Sequence, residues 1–448
     1  MNKPAPFRPE NHVELKTIVS SLLHDAKQLG ATQADVMLAQ ESGFSVAVRM
    51  GETETLEHNR GKSLSVTIYF DKRAGSATTS DFSDIALRAV LEKAASIARY
   101  TESDPHSGLA DADVIAYEYP DLDLHHPWHI TPEQGIELAK ECEDLARNSD
   151  KLITNSEGAY VNTHNHYYVH GNSHEFMGDY STSYHSINCA LIAQRGYEME
   201  SDSDYTCARD PVDLLAIPLL AKNVAQRTVQ RLGARKISTR QSPVIFSAET
   251  ARGLLGHFLS AISGSNLYRK SSFLLDCLGK PVFPKYIQIT ENPHLLKGFG
   301  SAPFDFEGVK SKARNLIKDG ILEGYLLSSY SARRLGMKTT GNAGGAHNIF
   351  IAPGEQDFPM LLKTMGTGLL VTGLMGQGVN MVTGDYSRGA YGYWVEGGEI
   401  QYPVHEITVA GNLKEIYANL ASVAKDVDHR GNVHTGSVLV ESMMIAGE

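Results

Sequence analysis

The side chains best suited to chemistry in this chain are its 18 histidines, and their spacing decides what they could do. His164, His166, His170 and His174 share parity, so an unbroken strand would present all four on one face, where imidazoles can bind zinc, nickel or copper. Gly171-Asn172 reads as a turn that sets the last one apart, and a solvent-facing hairpin side explains the group without a working metal. His125, His126 and His129 fall in a stretch rich in Asp, Pro and Gly and read as linker residues.

A hydrolytic zinc needs two histidines from one helix, a third ligand and a glutamate that deprotonates the bound water. The chain has two His-Glu pairs, His174-Glu175 and His405-Glu406, and neither is followed by a second histidine four or five places on. A site could otherwise be built only from histidines far apart in sequence, such as His257, His347, His405 and His434. No Gly-x-Ser-x-Gly elbow occurs; Gly384-Asp-Tyr-Ser387-Arg-Gly389 carries its serine one place late. Gly366-Thr-Gly368 and Gly376-Gln-Gly378 are each half of a dinucleotide fingerprint, and no phosphate loop is present, so turns in a sheet account for them. Arg227, Arg231 and Arg235 recur every fourth residue near a helix end, where cations suit the dipole, and read as a solvated face.

These residues must be positioned by two halves of different character. Leu15, Ile18, Val19, Leu22, Ala26 and Leu29 repeat at helical spacing up to Gly30. Phe44, Val46, Val48 and Met50, then Leu64, Val66, Ile68 and Phe70, give two alternating strands, and Asp81-Phe-Ser-Asp84 opens a second helix. Residues 101–130 form a long connection, and Thr131-Pro-Glu-Gln134 is a capping box with proline at the first helical position. Cys142 shares the stripe of Leu138 and Leu145 and is read as a core residue. Residues 153–205 alternate as an antiparallel meander, and Asp210-Pro211 starts a long helix ending near Gly233. Beyond a strand at 243–246 and a helix at 248–262 the pattern is mostly β, with hairpins at Asp319-Gly320 and Glu396–Glu399. Fifteen of the 40 glycines lie between Gly336 and Gly398, which suits tight turns and bulges.

The expected class is therefore α+β: an N-terminal layered α/β half with antiparallel strands, and a C-terminal β-rich half with few helices. Three domains are expected, at 1–115, 116–238 and 239–448. The net charge of −11 repels polyanions and argues against nucleic acid as a partner. Four cysteines, Cys142, Cys189, Cys207 and Cys277, with no Cys-x-x-Cys pair fit a reducing compartment. Met1–Glu10 lacks the apolar run of a signal peptide, and Leu214–Ala221, the longest apolar stretch, is too short to cross a bilayer, so a cytoplasmic location and no membrane partner are expected.

Several C-terminal stretches are familiar together: Ser331-Ala-Arg-Arg-Leu-Gly-Met-Lys-Thr-Thr-Gly-Asn-Ala-Gly-Gly345, Thr372-Gly-Leu-Met-Gly-Gln-Gly-Val-Asn380, and Thr383-Gly-Asp-Tyr-Ser-Arg-Gly-Ala390 running through Trp394 to Tyr402-Pro403. Ala410-Gly-Asn412 and Met444-Ile-Ala-Gly447 complete the set. Over nearly its full length the chain resembles the TldD/PmbA peptidase family, in its PmbA (TldE) branch. The resemblance implies a cytosolic zinc-dependent peptidase of two related subunits, TldD and TldE, that acts on unfolded peptides such as modified-peptide leaders and antitoxins. The TldD branch carries His-Glu-x-x-x-His on the helix after a Pro-Val strand, and a cysteine near the C-terminus. Counted from Pro243-Val244, the His, Glu and His positions fall on Gly256, His257 and Ala261, or one residue later on His257, Phe258 and Ile262; the cysteine falls at or beside Thr435, next to His434.

Either count leaves at most one ligand, and one histidine cannot hold zinc against water. The chain is accordingly expected to be a non-catalytic partner of a TldD-type subunit, with no catalytic, cofactor-binding or metal-binding residue of its own, zinc only in the partner, and a homodimer possible when it is alone. Two other readings stand beside it. One is a peptidase active by itself through His257, His347, His405 and His434. The other is a non-enzymatic regulator, following the family's older label as a modulator of DNA gyrase.

Overall fold

The computed structural model describes residue 9 and residues 11–447; apart from Pro9, the N-terminal run Met1–Glu10 lies outside the described residues. The N-terminal half is built on one long antiparallel sheet in the order β3-β2-β1-β4-β5-β6. Its strands are β1 (Gln33–Arg49), β2 (Glu52–Phe70), β3 (Arg73–Thr79), β4 (Ile153–Asn172), β5 (Phe176–Arg195) and β6 (Glu198–Ala208). Four helices cover one face: α1 (His12–Gln28), α2 (Asp84–Tyr100), α3 (Pro132–Arg147) and α4 (Ile217–Gln230). Alternation does this directly, because Val36, Leu38, Val46 and Val48 of β1 and Leu64, Val66 and Ile68 of β2 all turn the same way and are buried under the helices. β1 pairs with β4 across the long connection, so residues 33–79 and 153–208 share one ladder.

Some expectations shift by a few residues, each for a local reason. Met50 is not on the apolar face: with Gly51 it makes a two-residue hairpin turn in which both φ are positive (53° and 80°), and it stands 44% exposed. Gly171-Asn172 is not a turn; β4 runs through both, and the chain reverses at Ser173–Glu175, where Glu175 takes φ 61°. Cys142 is buried with Ala139 and Ala146, while Leu145 is 40% exposed. The helix foreseen from Pro211 is broken: a single 3-10 turn, Pro211–Asp213, precedes α4, which has Pro218 in its first turn.

The C-terminal half holds β7 (Arg240–Phe246), α5 (Ala248–Ala261), α6 (Gly264–Tyr268), β8 (Ile289–Asn292), β9 (Arg314–Lys318), β10 (Ile321–Leu322), α7 (Ser329–Arg334) and β11 (Asn348–Ile351). It continues with α8 (Phe358–Met365), β12 (Gly368–Met375), β13 (Asp385–Glu396), β14 (Glu399–Asn412), α9 (Leu413–Ala418), β15 (Leu420–Val423), β16 (Val433–His434) and β17 (Val438–Ala446). One sheet runs β10-β9-β8-β11-β16. The other runs β14-β13-β12-β7-β17-β15, and β14 also pairs with β17, so five of its strands close on themselves. The turns at Asp319-Gly320 and Gly397-Gly398 have positive φ throughout, as hairpins of this length require. Helix α5 lies against the core shared by both sheets, with Leu254, Leu255, Phe258 and Ile262 buried beside Phe283 and Tyr417. Each such side chain contributes roughly 1.5–3 kcal/mol by leaving water.

The face of the N-terminal sheet away from the helices meets the C-terminal half through residues 299–309. Phe304 packs edge-on against Tyr119, Phe176 and Tyr180, and Phe299 meets Tyr184 at a tilt of 60°.

Candidate functional site on helix α5

Helix α5 starts on a side-chain relay. Ser247 caps it by accepting from the Thr250 amide at 3.4 Å, the Ala248 amide donates to Ser437 Oγ at 3.1 Å, and Ser437 Oγ donates to Asp426 at 2.7 Å. The apolar residues of the helix face inward, so the outer stripe is Glu249, Arg252, Gly253, Gly256 and His257. This is the segment on which the resemblance places metal ligands.

Its chemistry is not that of a zinc site. At Gly256 an added Cβ would meet nothing within 4 Å, and Ala261 is 0% exposed in the core. The imidazole of His257 packs edge-on to Tyr386, with ring centroids 5.9 Å apart, and its Nε2 has no hydrogen-bond partner. Burial, then the nearby Arg388 guanidinium, lower its proton affinity. Burial also pushes the Tyr386 hydroxyl up to about 12. A single imidazole facing a phenol and a cation does not fit a dication, which needs about three converging donors.

The other histidines weighed as scattered ligands have separate partners. His434 of β16 stacks flat on Phe350 at 4.5 Å, its Nδ1 lies 3.3 Å from that of His429, and burial, then His429, hold its pKa down at about 4. Thr435 beside it is buried and donates to the Gly436 carbonyl. His347 lies 3.0 Å from Glu291; burial opposes the ionised carboxylate, but hydrogen bonds from His347 and the charge of Arg314 hold Glu291 down at about 2. His405 contacts Glu200 of β6 at 3.0 Å. Among the described residues no group of three His, Cys, Asp or Glu side chains is placed to hold a metal.

The strand histidines are not a solvated hairpin side. His170 is 2% exposed and lies 2.6 Å from Asp35, and His164 contacts Glu41 at 3.0 Å. His164, His166 and Tyr168 stack in a row at spacings of 6.3 and 6.0 Å, on the face turned away from the helices. His174, in the turn, is set apart from them. The linker histidines are structural: His126 receives His185 Nε2 at its carbonyl at 2.7 Å, and burial lowers His125 to about 4.

Two hollows flank α5. Near its N-terminus a cleft of about 510 Å³ is lined by Asp202, Arg227, Glu249, Asp428, Arg430 and Ser437, drawn from both halves of the chain. Of the arginine stripe, Arg227 lines this cleft; Arg227 and Arg231 are half-buried rather than solvated, whereas Arg235 is exposed as expected. Arg227 contacts Glu249 at 3.0 Å, Arg231 contacts Glu200 at 2.8 Å while lying over Tyr391, and Arg235, beyond the helix end, lies over Tyr402. Near the C-terminus of α5 a cavity of about 380 Å³ is lined by Ser260, Ser263, Ser328, Ser331, Gly344 and Gly345. The familiar Ser331–Gly345 stretch thus forms a wall. Sequence reading passed over Asp202, Asp426, Arg430 and Ser437, which come from two regions more than 200 residues apart; the one available signal was the charged run Asp426-Val-Asp-His-Arg430.

Comparison with known proteins follows the same outline. Residues 239–447 match the PmbA/TldA metallopeptidase C-terminal domain, residues 125–232 its central domain and residues 34–98 its domain 1. The chain is 49% identical over 415 residues to the metalloprotease PmbA of Escherichia coli O157:H7, covering 93% of this chain and 92% of its relative. It is 46% identical to a metalloprotease PmbA homolog of Haemophilus influenzae, over 97% of this chain and 96% of the other. A metalloprotease TldD homolog of the same bacterium is 24% identical, over 66% and 65%. Among solved structures, a proposed modulator of DNA gyrase from Bacteroides thetaiotaomicron superposes with a TM-score of 0.92 at 26% identity, covering 97% of this chain and 99% of that one. TldE from Thermococcus kodakarensis shares the fold, with a TM-score of 0.84 at 20% identity over 96% and 100%.

Proposed function

Since the chain belongs to the PmbA/TldA metallopeptidase family, in its PmbA (TldE) branch, we propose that it is the non-catalytic subunit of a two-subunit peptidase whose zinc is held by a TldD-type partner. The partner cleaves unfolded peptides, among them leaders of modified peptides and antitoxins, and this chain supplies part of the surface that holds them. One observation carries the reading: where the family's ligand helix would offer His, Glu and His, α5 offers an open glycine, a histidine facing Tyr386 and Arg388, and an alanine in the core. Activating a hydroxide at neutral pH takes a metal held by about three ligands.

A cytoplasmic location belongs to the same proposal. It is supported by four unpaired cysteines, while among the described residues no helix is long and apolar enough to cross a membrane. So does a three-part division at 1–115, 116–238 and 239–448, with the charged cleft beside α5 at the boundary of the last two parts.

The test is metal content and hydrolysis of an unstructured peptide, measured on the chain alone and with a TldD-type chain. The expected result is no stoichiometric zinc and no cleavage alone, and cleavage when the two are combined. One tightly bound zinc per chain, whose removal abolishes hydrolysis by the chain alone, overturns the proposal.

A further inference from the structure

Beside the outer stripe of α5 stand three groups that a metal would not want, and all of them are donors. Tyr386 is 2% exposed, and its hydroxyl has no hydrogen-bond partner. His257 packs edge-on to it and leaves Nε2 unpartnered. Buried polar groups are ordinarily paired, so two orphans side by side point to a missing acceptor. Arg388 is two residues beyond Tyr386 on β13 and projects to the same side.

The Arg388 guanidinium is fixed but not neutralised. Its Nε donates to the Gly376 carbonyl at 2.9 Å, which leaves the two terminal nitrogens for other partners. Asp385, nearest in sequence, projects to the other side of β13 and bonds Thr383 and Asn412. Glu249 and Asp428, near the start of α5, are taken by Arg227, Arg252 and Arg430. Room lies alongside: an added Cβ at Gly253 would meet only Arg388 Nη1, at 4.0 Å, and one at Gly256 would meet nothing within 4 Å.

The donor set selects the ligand. A guanidinium, a phenolic O–H and an imidazole N–H complement an acceptor of negative charge. One guanidinium balances one charge and fits the two oxygens of a carboxylate. A phosphate carries about −1.5 to −2, and the chain's net charge of −11 repels polyanions.

We propose that Arg388, with Tyr386 and His257 as further donors, binds a carboxylate of a peptide lying over the glycines of α5. The carboxylate follows from the donors; that its bearer is a peptide rests on the function proposed above.

Peptide titration of the chain alone, without a TldD-type subunit, keeps this test apart from zinc content and cleavage. The probe is a short unstructured peptide without Asp or Glu, compared as the free acid, as its carboxy-terminal amide, and as an amide carrying one internal Glu. Binding is read from the His257 ring resonances in histidine-labelled protein. The free acid is expected to bind at least about tenfold more tightly than the plain amide. If the amide with Glu binds like the free acid, the site stands and takes side-chain carboxylates; if it binds weakly, the site stands and takes the peptide terminus. Arg388→Gln is expected to erase the difference between acid and amide, and Tyr386→Phe to reduce it. Gly253→Leu keeps every donor, fills the space beside Arg388 and should weaken the free acid without lowering the melting temperature. Equal binding of acid and amide, binding of neither, a difference that survives Arg388→Gln, or inorganic phosphate bound as tightly as the free acid overturns the proposal. So does an Arg388→Gln chain that binds the peptides unchanged and loses only its association with a TldD-type subunit. Zinc-dependent cleavage by the chain alone would sink the function proposed above, whereas binding indifferent to the carboxylate sinks this site.

Discussion

Buried titratable groups decide how this protein meets acid. Burial holds His125 and His434 down at about 4, whereas burial and the charge of Glu307 push Asp305 up to about 6. Unfolded, the histidines take protons near 6.5 and the carboxyl near 3.9. At about pH 5 the unfolded chain therefore holds two protons on these groups and the folded chain one, so stability falls on acidification by about 1.4 kcal/mol per pH unit. His166, His185, His257 and His294 are lowered as well, burial first among the causes, and add to the fall. Asp305 is the opposing group: its folded pKa is raised, so its proton uptake favours the folded state as pH drops from 6 toward 4. In Asp305→Asn that opposing proton is gone, and the fall between pH 6 and 4 should steepen by about one proton's worth, roughly 1.4 kcal/mol per unit. Denaturant titrations from pH 4 to 7 measure this; parallel curves for the two proteins would count against it.

At the scale of elements, glycines mark where backbones approach closely and where space is open. At Gly392 in β13 an added Cβ would sit 1.8 Å from the Leu370 carbonyl oxygen of β12, a backbone atom that cannot step aside without breaking the ladder. Gly392→Ala is expected to lose more than about 2 kcal/mol, or to fail to fold, seen as a lower melting temperature or insoluble protein. Gly256, in the middle of α5, meets nothing within 4 Å, and a mid-helix glycine is worth about 0.5–1 kcal/mol less than alanine. Gly256→Ala should therefore stabilise the chain by about that amount in urea titration; a loss would show that the open space over α5 is needed by the fold itself.

Across the whole molecule the two halves are joined by charge as well as by packing. Arg430 contacts Asp204 of β6 at 2.7 Å and Asp428 of its own loop at 3.1 Å, and donates to the Tyr205 carbonyl at 3.0 Å, while Arg227 of α4 contacts Glu249 of α5. Removing one member of a buried network leaves charges without partners, at roughly 3–5 kcal/mol for full burial and less at this half-buried joint. Arg430→Ala is expected to lower stability by about 2 kcal/mol and to split one calorimetric transition into two as the halves uncouple. A single unshifted transition would mean that the aromatic contacts of Phe299 and Phe304 hold the joint alone.

The sequence by itself determined the elements and the class. Period-two runs such as Leu64–Ile68, the Thr131–Gln134 capping box, and the glycine pairs of the hairpins act through neighbours in the chain, so their geometry is written locally. The α+β architecture followed from those runs. Tertiary structure alone decided the rest. Arg227 and Arg231 read as part of a solvated helix stripe because nothing local reveals that Asp202, Glu249 and Tyr391 cover them. His170 read as exposed because its partner, Asp35, lies 135 residues away on β1. The outer side of β2 is of the same kind: a strand's own residues fix its extended shape, but that β3 covers only Leu64–Phe70 of it, among the described residues, is fixed only when every other strand has taken its place.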